Sequence, residues 1–240
     1  MTKQRHFKNI PILVILLFLI GLMLQIIWQL NNFKKNSKYQ PLPDAPSQNI
    51  LNLQSFGDNI VLSRLLILWL QSHTSQNGLY LSNNDINYKY LTDWLNAILQ
   101  QDSHTQYPLF LASYQYILVK HPQKQRQVLE FIHQQFYIDP KRRWRWLAQA
   151  AVIAKYRLQD LPLALKYAEI LTAYAPIIPD MPDWAKEMQI FILEDMGELA
   201  QARLLIGGLL TNGLITDPDE VAFLNEKLQA LEQAQSGLQE

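Results

Sequence analysis

The sequence contains no cysteine and only eight glycines among its 240 residues. The absence of cysteine excludes disulfide bridges, thiolate nucleophiles and cysteine-bound metal ions. The glycines form no G-x-G-x-x-G motif and no phosphate-binding loop. The one glycine pair, Gly207-Gly208, lies in an apolar run, where we expect it to permit close helix packing.

Motifs for catalysis and metal binding are also missing. The five histidines include no H-E-x-x-H motif and no other metal-ligand spacing. Glu194 and Glu198 lie one helical turn apart, but a solvated helix end accounts for them more simply than paired acid-base chemistry. The sequence therefore predicts no enzyme activity, no cofactor, no metal site and no small-molecule substrate.

An uncharged run over residues 9–33 is the strongest feature that the sequence does have. A helix needs about 20 apolar residues to cross about 30 Å of hydrocarbon, so this run is long enough. No small-residue cleavage site follows it, which distinguishes it from a removable signal peptide. Trp28 is expected near one membrane interface, where indole rings are favoured. We therefore predict an uncleaved signal anchor, that is, a single transmembrane helix.

The charges on either side of this run set its expected orientation. Three bases lie in residues 1–8 and three in residues 34–38, so the positive-inside count is nearly balanced. The short, acid-free tail over residues 1–8 is harder to translocate than to retain, which favours a cytoplasmic N-terminus. The sequence thus predicts a single-pass protein of the inner (cytoplasmic) membrane with its folded part in the periplasm.

Residues 34–57 contain Pro41, Pro43 and Pro46 among polar side chains. Proline disfavours helix, and a polar, proline-containing segment favours an extended chain. We therefore predict an extended linker over 34–57, which would hold the folded residues 58–240 at some distance from the bilayer.

Apolar residues recur with helical period from Asp58 onward, without convincing strand-like alternation. The clearest apolar stripe consists of Tyr88, Leu91, Trp94, Leu95, Ile98 and Leu99. Further helices are predicted over 58–72, 107–119, 123–137, 142–157, 161–174, 183–196, 199–212 and 218–234. Short breaks that contain proline, glycine or aspartate separate them. An all-α chain of antiparallel helical hairpins is expected.

Charge is distributed in blocks along these helices. Residues 120–166 carry ten bases and three acids, whereas residues 167–240 carry three bases and thirteen acids. Beyond residue 38 the chain has 21 acids and 15 bases, so nucleic acid is not an expected partner. We expect the basic helices to pack beside the acidic ones, within one molecule or between two.

An internal repeat appears when the chain is shifted by 38 residues. The shift places Trp146 on Trp184 and Ala164 on Ala202, and it superposes the turn residues 159–160 on 197–198. Periods of this size, with one helical hairpin each, are typical of solenoids. A helical bundle without repeats is the alternative.

The segment Asp160–Ala168 resembles the start of the second helix in the tetratricopeptide-repeat (TPR) family. Ala164 stands in the family's small-residue position and Pro176 in its terminal proline position. The resemblance covers about residues 107–212. It implies an α-solenoid over residues 58–240, in which the last helix forms a C-terminal cap.

The segment Lys141-Arg142-Arg143-Trp144-Arg145-Trp146 gathers four bases at the predicted start of a helix, where the helix dipole disfavours cations. One interpretation is a site for an anionic partner, with Arg142 stacked on Trp146. The alternative is that the arginines pair with the acidic C-terminal helices and the tryptophans belong to the core.

In the TPR family the first helix of each hairpin lines a concave surface, so the resemblance implies an aromatic strip with charged flanks. Such a strip suits an extended or helical peptide. The predicted partner-binding residues are Arg142, Arg143, Arg145, Trp146, Gln149, Tyr156, Arg157, Trp184, Glu187 and Phe191.

Together these features favour a membrane-anchored helical-repeat scaffold that binds a protein partner, as an accessory subunit of an envelope complex. A module that binds anionic lipid through residues 141–146 and 34–38 is one alternative. An all-helical envelope enzyme is another.

Overall fold

The computed structural model describes residues 11–32, 41–74 and 85–236. Every regular element within these ranges is helical, as the sequence predicts. The N-terminal helix belongs to one compact unit, and the described residues from Pro41 onward belong to a second, which we call the folded unit.

The N-terminal helix, α1, spans Ile12–Asn32. Its segment Ile12–Leu30 has a mean hydropathy of 2.5 and is 19 residues long, which is enough to cross a membrane by length and composition. The apolar side chains of this segment are exposed on all sides. A helix that is apolar around its whole circumference needs an apolar environment, either a protein core or lipid.

The folded unit contains ten further α-helices among its described residues. They are α2 (Gln48–Gln54), α3 (Asn59–Thr74), α4 (Tyr88–Gln101), α5 (Tyr107–Phe110), α6 (Pro122–Ile138), α7 (Pro140–Tyr156), α8 (Leu161–Tyr174), α9 (Asp183–Asp195), α10 (Leu199–Thr211) and α11 (Pro218–Ser236). A π-turn over Leu111–Gln115 and a 3-10 turn over Tyr116–Leu118 continue α5. From α6 to α11, each helix packs against the next in the chain.

The prediction of an extended linker over 34–57 is wrong from Pro41 onward, and residues 34–40 lie outside the described part of the chain. Leu42 is buried, and the backbone carbonyl of Pro43 accepts a hydrogen bond from Nε1 of Trp94 (2.8 Å). Leu51 is fully buried in α2. The two leucines gain more from burial against α4 than the prolines cost, because the prolines precede the helix and interrupt none of its hydrogen bonds.

The predicted apolar stripe of α4 is confirmed, since all six of its residues are buried. Asn87 caps the helix by accepting a hydrogen bond from the backbone N–H of Lys89 (3.0 Å). The stripe belongs to a core that extends from Leu42 to Ile192. A second apolar cluster joins α9, α10 and α11.

Helix ends in the folded unit follow the local sequence. Asp160 caps α8 through the backbone N–H of Leu163 (3.0 Å), and Pro162 lies in the first turn. The turns after α7 and α9 both contain a residue with positive φ, Gln159 (53°) and Gly197 (78°). These two residues are related by the 38-residue shift, so both turns have a left-handed residue at the equivalent position.

The pair Gly207-Gly208 in α10 does not serve the close packing that we expected. A methyl group added at either residue would meet no atom within 4 Å. Space for a side chain is therefore available, and helix contact at this position does not require glycine.

Candidate functional site

The basic-aromatic segment 141–146 forms the first turns of α7. Asp139 caps this helix by accepting a hydrogen bond from the backbone N–H of Arg142 (3.4 Å), and Pro140 occupies the first helical position. The Asp139 carboxylate also pairs with Nε of Arg142. A carboxylate at the N-cap offsets the unfavourable effect of cations at the positive end of the helix dipole. Asp139, the residue before α7, thus offsets the unfavourable effect of the bases at the N-terminal end of this helix.

Arg143 is a buried structural residue, so the prediction that it binds a partner is wrong. Its side chain is 1% exposed. The guanidinium donates to the backbone carbonyl and the side-chain Oε1 of Gln135 (3.0 and 2.6 Å) and to the carbonyl of Ser103 (3.0 Å). Burial lowers the pKa of Arg143, while nearby Asp139 acts to raise it. The planar fork therefore joins the loop after α4 to the end of α6.

The other two arginines of the segment are exposed. Arg142 binds Asp139, and the guanidinium of Arg145 lies over the ring of Trp144 at 5.1 Å from its centroid. The sequence predicted a cation–π contact between Arg142 and Trp146. As the alternative, it predicted ion pairs between these arginines and the acidic C-terminal helices. The contacts of Arg142 and Arg145 described above are different ones. Trp144 is buried, in agreement with the part of that alternative that assigned tryptophan to the core.

Among the described residues, one ion pair crosses from the basic block to the acidic block. Nζ of Lys155 lies 2.5 Å from the carboxylate of Asp195, which connects the C-terminal ends of α7 and α9. Partial burial acts to lower the pKa of Lys155, but the hydrogen bonds and charges of Asp195 and Tyr156 together outweigh it, so the pKa is raised. Near the opposite ends of these two helices, the rings of Trp144 and Trp184 lie 5.9 Å apart. Helices α7 and α9 therefore lie side by side and run in the same direction.

The predicted partner-binding residues on α7 differ in accessibility. Trp146 and Gln149 are half-buried, whereas Tyr156 and Arg157 are exposed. Nζ of Lys155 lies over the Tyr156 ring at 5.0 Å. The structure thus leaves this side of α7 partly accessible.

On α9 the predicted residues are more strongly covered. Glu187 is 3% exposed, so the prediction that it contacts a partner is wrong. Phe191 packs against Phe223 of α11 at 6.4 Å, and Nζ of Lys227 lies over both rings. Trp184 is half-exposed and packs on Trp144. Side chains of α11 thus contact α9 at Phe191, which the repeat pattern alone did not indicate.

Burial has a further effect on Glu187. It raises the pKa of the carboxyl to about 7, with the charges of Glu220 and Asp183 acting in the same direction. Lys186 and Lys227 act in the opposite direction. Within the described residues, Oε1 of Glu187 has no hydrogen-bond partner. The neutral carboxyl is therefore favoured below about pH 7.

Trp146 belongs to a group of four aromatic rings that the sequence did not predict as a site. Its ring packs edge-on against Phe110 at 6.5 Å, and Phe110 contacts Tyr107 (5.7 Å) and Tyr114 (5.1 Å). Nε1 of Trp146 donates to Oε1 of Gln106 (2.6 Å), which fixes the indole. Tyr107, Phe110 and Tyr114 are 40%, 43% and 51% exposed. We call Tyr107, Phe110, Tyr114 and Trp146 the aromatic surface.

The π-turn gives the aromatic surface its shape. Residues 107, 110 and 114 have the spacing of one helix face, which is the signal that was available in the sequence. The structure departs from a regular helix at Leu111–Gln115, where buried Leu111, Ala112 and Ser113 face the core. A π-turn changes the direction of side chains and is often found at functional sites.

A cleft adjoins this surface on the side of α3. It has a volume of about 550 Å³ and is lined by Leu68 and Gln71 of α3 and by residues of the loop before α5. Nε2 of Gln71 donates to the hydroxyl of Tyr107 (3.1 Å), which links the cleft to the aromatic surface. The two features form a continuous accessible region of the folded unit.

Within residues 11–32, 41–74 and 85–236, no group of three or more His, Asp or Glu side chains is arranged to hold an ion. Comparisons of the chain with protein-family models, curated proteins and solved structures found no match.

Proposed function

We propose that the protein is a membrane-anchored helical-repeat adaptor that binds a protein partner through the aromatic surface. The observation that carries the proposal is the group of four contacting rings, three of them 40% to 51% exposed. Exposed apolar groups of this kind are rare on surfaces that contact only water. Aromatic side chains also supply much of the binding energy at protein interfaces.

A TPR-like arrangement of the folded unit is supported by the repeated register of its contacts. Trp144 contacts Trp184 and Lys155 contacts Asp195, and each pair is separated by 40 positions. The positive-φ turns at Gln159 and Gly197 recur at the 38-residue shift. Regular contacts between successive hairpins favour a solenoid over a bundle without repeats.

Anchoring in the membrane is supported by α1. Twenty-one residues at about 1.5 Å per residue give a helix of about 30 Å, which matches the hydrocarbon thickness. The basic tail before α1 favours a cytoplasmic N-terminus and a periplasmic folded unit, in the inner membrane of a cell envelope. The adaptor would then act as an accessory subunit of an envelope complex.

The alternative in which the 141–146 segment binds anionic lipid loses part of its basis. Arg143 and Trp144 are buried, and the carboxylate of Asp139 pairs with Arg142. Two of the four bases are thereby committed to contacts within the protein. In the aromatic surface, by contrast, three of the four rings remain 40% to 51% exposed.

The proposal is tested by purifying the full chain from detergent-solubilised membranes with its bound proteins. A double variant, Phe110→Ala with Tyr114→Ala, is expected to lose a stoichiometric partner. The matched control is Tyr137→Ala with Ile138→Ala on α6, which removes two comparably exposed apolar side chains. Helical circular dichroism and the melting temperature of both variants are measured alongside.

Loss of the partner from the first variant alone, with folding retained, supports the proposal. Equal retention in both variants contradicts it. If Phe110→Ala with Tyr114→Ala lowers the melting temperature strongly, the single variant Tyr114→Lys decides the question, because its exposed ring can be replaced without opening a cavity.

A further inference from the structure

A cavity with a volume of about 600 Å³ lies between α4, the end of α6 and the start of α7. Its wall includes Arg143 and Gln135, which are 1% and 5% exposed, together with the half-buried Asn96. Ala45 and Pro46, from the segment before α2, also line it. Volumes between about 300 and 1,000 Å³ are typical of small-molecule sites. We call this space the Arg143 cavity.

Arg143 carries a positive charge that no hydrogen-bonded carboxylate balances. Among the described residues, its guanidinium donates to carbonyl oxygens of Gln135 and Ser103, and its Nε has no acceptor. The charge of Asp139 also acts on Arg143, but this carboxylate is already paired with Arg142. A buried charge without an opposite charge beside it is costly, and the low dielectric of the interior strengthens its field. An anion in the Arg143 cavity would lower this cost.

Arg143 also fixes the orientation of two side-chain amides. A guanidinium can only donate, so the atom of Gln135 that faces Nη1 must be the oxygen Oε1 (2.6 Å). The amide nitrogen of Gln135 then donates to Oδ1 of Asn96 (2.6 Å). Nδ2 of Asn96 is consequently turned away from Gln135, and it has no acceptor among the residues that the structure describes. The chain of hydrogen bonds thus begins at a positive charge and ends at an unpaired donor of a residue that lines the cavity.

The remaining lining residues limit the kind of anion. Asp93 lines the cavity and is exposed, so its carboxylate would repel a ligand with two negative charges. Leu99 and Ile138 offer apolar atoms to the carbon skeleton of a ligand. A charged acceptor strengthens a hydrogen bond from an amide donor, which a carboxylate can provide with a single charge. These features favour an organic molecule with one carboxylate over inorganic phosphate.

We propose that the Arg143 cavity binds a small organic monocarboxylate, which accepts a hydrogen bond from Nδ2 of Asn96. Arg143 is a positioning residue in this site, because it orients the amides of Gln135 and Asn96 and supplies positive charge behind them. No local sequence pattern indicates the site, since these three residues belong to α7, α6 and α4. The site would exist whether or not the aromatic surface binds a partner.

The first test uses the full chain in an uncharged maltoside detergent and measures ligand binding by NMR titration. The probe is N-acetylglycine, and N-acetylglycinamide is its neutral counterpart, which has an amide in place of the carboxylate. The unmodified chain should bind the acid roughly tenfold more tightly than the amide, because a charged acceptor makes the stronger hydrogen bond. No binding of N-acetylglycine, or equal binding of the two probes, would overturn the proposal.

Substitution of Asn96 tests the proposed contact. Asn96→Asp removes the Nδ2 donor and adds a negative charge, while its carboxylate still accepts from Gln135, so binding of N-acetylglycine should fall roughly tenfold or more. Asn52→Asp is the matched control, since Oδ1 of Asn52 also accepts from a glutamine, Gln101 (3.5 Å), but Asn52 does not line the cavity. Asp93→Asn should tighten binding, because it removes the repelling charge. Equal affinities of Asn96→Asp and Asn52→Asp would contradict the proposal.

The positioning role of Arg143 is tested through Gln135→Glu. The new carboxylate still accepts from Arg143, but it cannot donate to Asn96, so the Asn96 amide should turn and present Oδ1 to the cavity. Binding of N-acetylglycine should be lost, while helical circular dichroism and the melting temperature are kept by the ion pair with Arg143. Retained binding in the folded variant would show that Arg143 has a structural role alone. If Asn96→Asp does not fold, this variant and the two glycine probes decide.

Two further probes test the class of ligand. Inorganic phosphate and the tetrapeptide acetyl-Ala-Ala-Ala-Gly should each bind no more tightly than N-acetylglycine. Phosphate that binds more tightly would show that the cavity does not select a single carboxylate. A tetrapeptide that binds more tightly would identify the end of a protein chain as the source of the carboxylate. Either result overturns the assignment of a small monocarboxylate.

Discussion

The indole rings of Trp144 and Trp184 lie 5.9 Å apart, near the N-terminal ends of α7 and α9. Trp144 is 4% exposed, whereas Trp184 is 51% exposed. The outer ring thus covers the inner one and shields it from water. The 38-residue shift aligns Trp184 with Trp146. The ring that Trp184 contacts is nevertheless that of Trp144, because residues 40 positions apart lie opposite each other on the parallel helices α7 and α9.

The two rings predict unequal effects on stability. Trp144→Ala should lower the free energy of unfolding by about 3–5 kcal/mol, because it opens a cavity in the core. Trp184→Ala removes a half-exposed ring and should cost much less. Urea denaturation of the full chain in detergent, followed by circular dichroism, measures both. Equal losses would show that Trp184 is as much a core residue as Trp144.

The helices were predictable because their signals are local. The α4 stripe repeats with helical period, and proline or aspartate marks the starts of α7 and α8, where Asp139 and Asp160 accept capping hydrogen bonds. These features act over three or four residues, the range that a sequence pattern covers. From α3 onward, element type and most boundaries therefore follow from the sequence, whereas α2 was missed.

The burial of single residues was not predictable in the same way. Arg143 was assigned to a surface site, but its acceptors lie 8 and 40 positions away, at Gln135 and Ser103. Leu42 was assigned to a linker, although it packs in the core. The aromatic surface required Trp146 to meet Phe110 across two helices. Each of these contacts depends on tertiary packing that no local pattern specifies.

Arg143 should be essential for stability, and the hydrogen bonds of its guanidinium should matter more than its positive charge. Arg143→Met leaves buried carbonyls without donors, and each unpaired buried acceptor costs about 1–3 kcal/mol. Arg143→Lys should also destabilise, because an ammonium group cannot reproduce the planar fork. The exposed neighbour Arg145 is the control, and Arg145→Met should change the free energy of unfolding by no more than about 0.5 kcal/mol. Denaturant titration of the three variants tests this, and a wild-type midpoint for Arg143→Met would contradict it.

Glu187 predicts a pH dependence of stability. Its pKa in the folded protein is about 7, raised from 4.5 mainly by burial, so the folded state holds the proton more tightly than the unfolded state. The stability that this group contributes is full below pH 4.5 and is lost as the pH rises through about 7. Glu187→Gln stays neutral and should remove this decline. The measurement is the free energy of unfolding of both proteins between those pH values.

Other groups also titrate in this range, so the comparison of the two proteins carries the prediction. The difference in stability between Glu187→Gln and the wild type should grow in favour of the variant as the pH rises. A difference that stays constant with pH would mean that the folded-state pKa of Glu187 is not raised. Glu169→Gln, at an exposed site on α8, is the matched control for the effect of the substitution itself.

The orientation of α1 gives the last prediction. A phosphatase that is active only outside the cytoplasm, fused after Glu240, should be active, and a fluorescent protein that matures only inside should stay dark. The reason is the acid-free basic tail over residues 1–8, which opposes translocation of the N-terminus. Because residues 34–38 carry three bases, as residues 1–8 do, the balance is narrow. Replacing Lys3, Arg5 and Lys8 with asparagine should therefore invert a measurable fraction of molecules, whereas replacing Lys34, Lys35 and Lys38 should reinforce the original orientation.

An inactive phosphatase with a bright fluorescent fusion in the unmodified chain would show that the 34–38 cluster dominates and that the folded unit faces the cytoplasm.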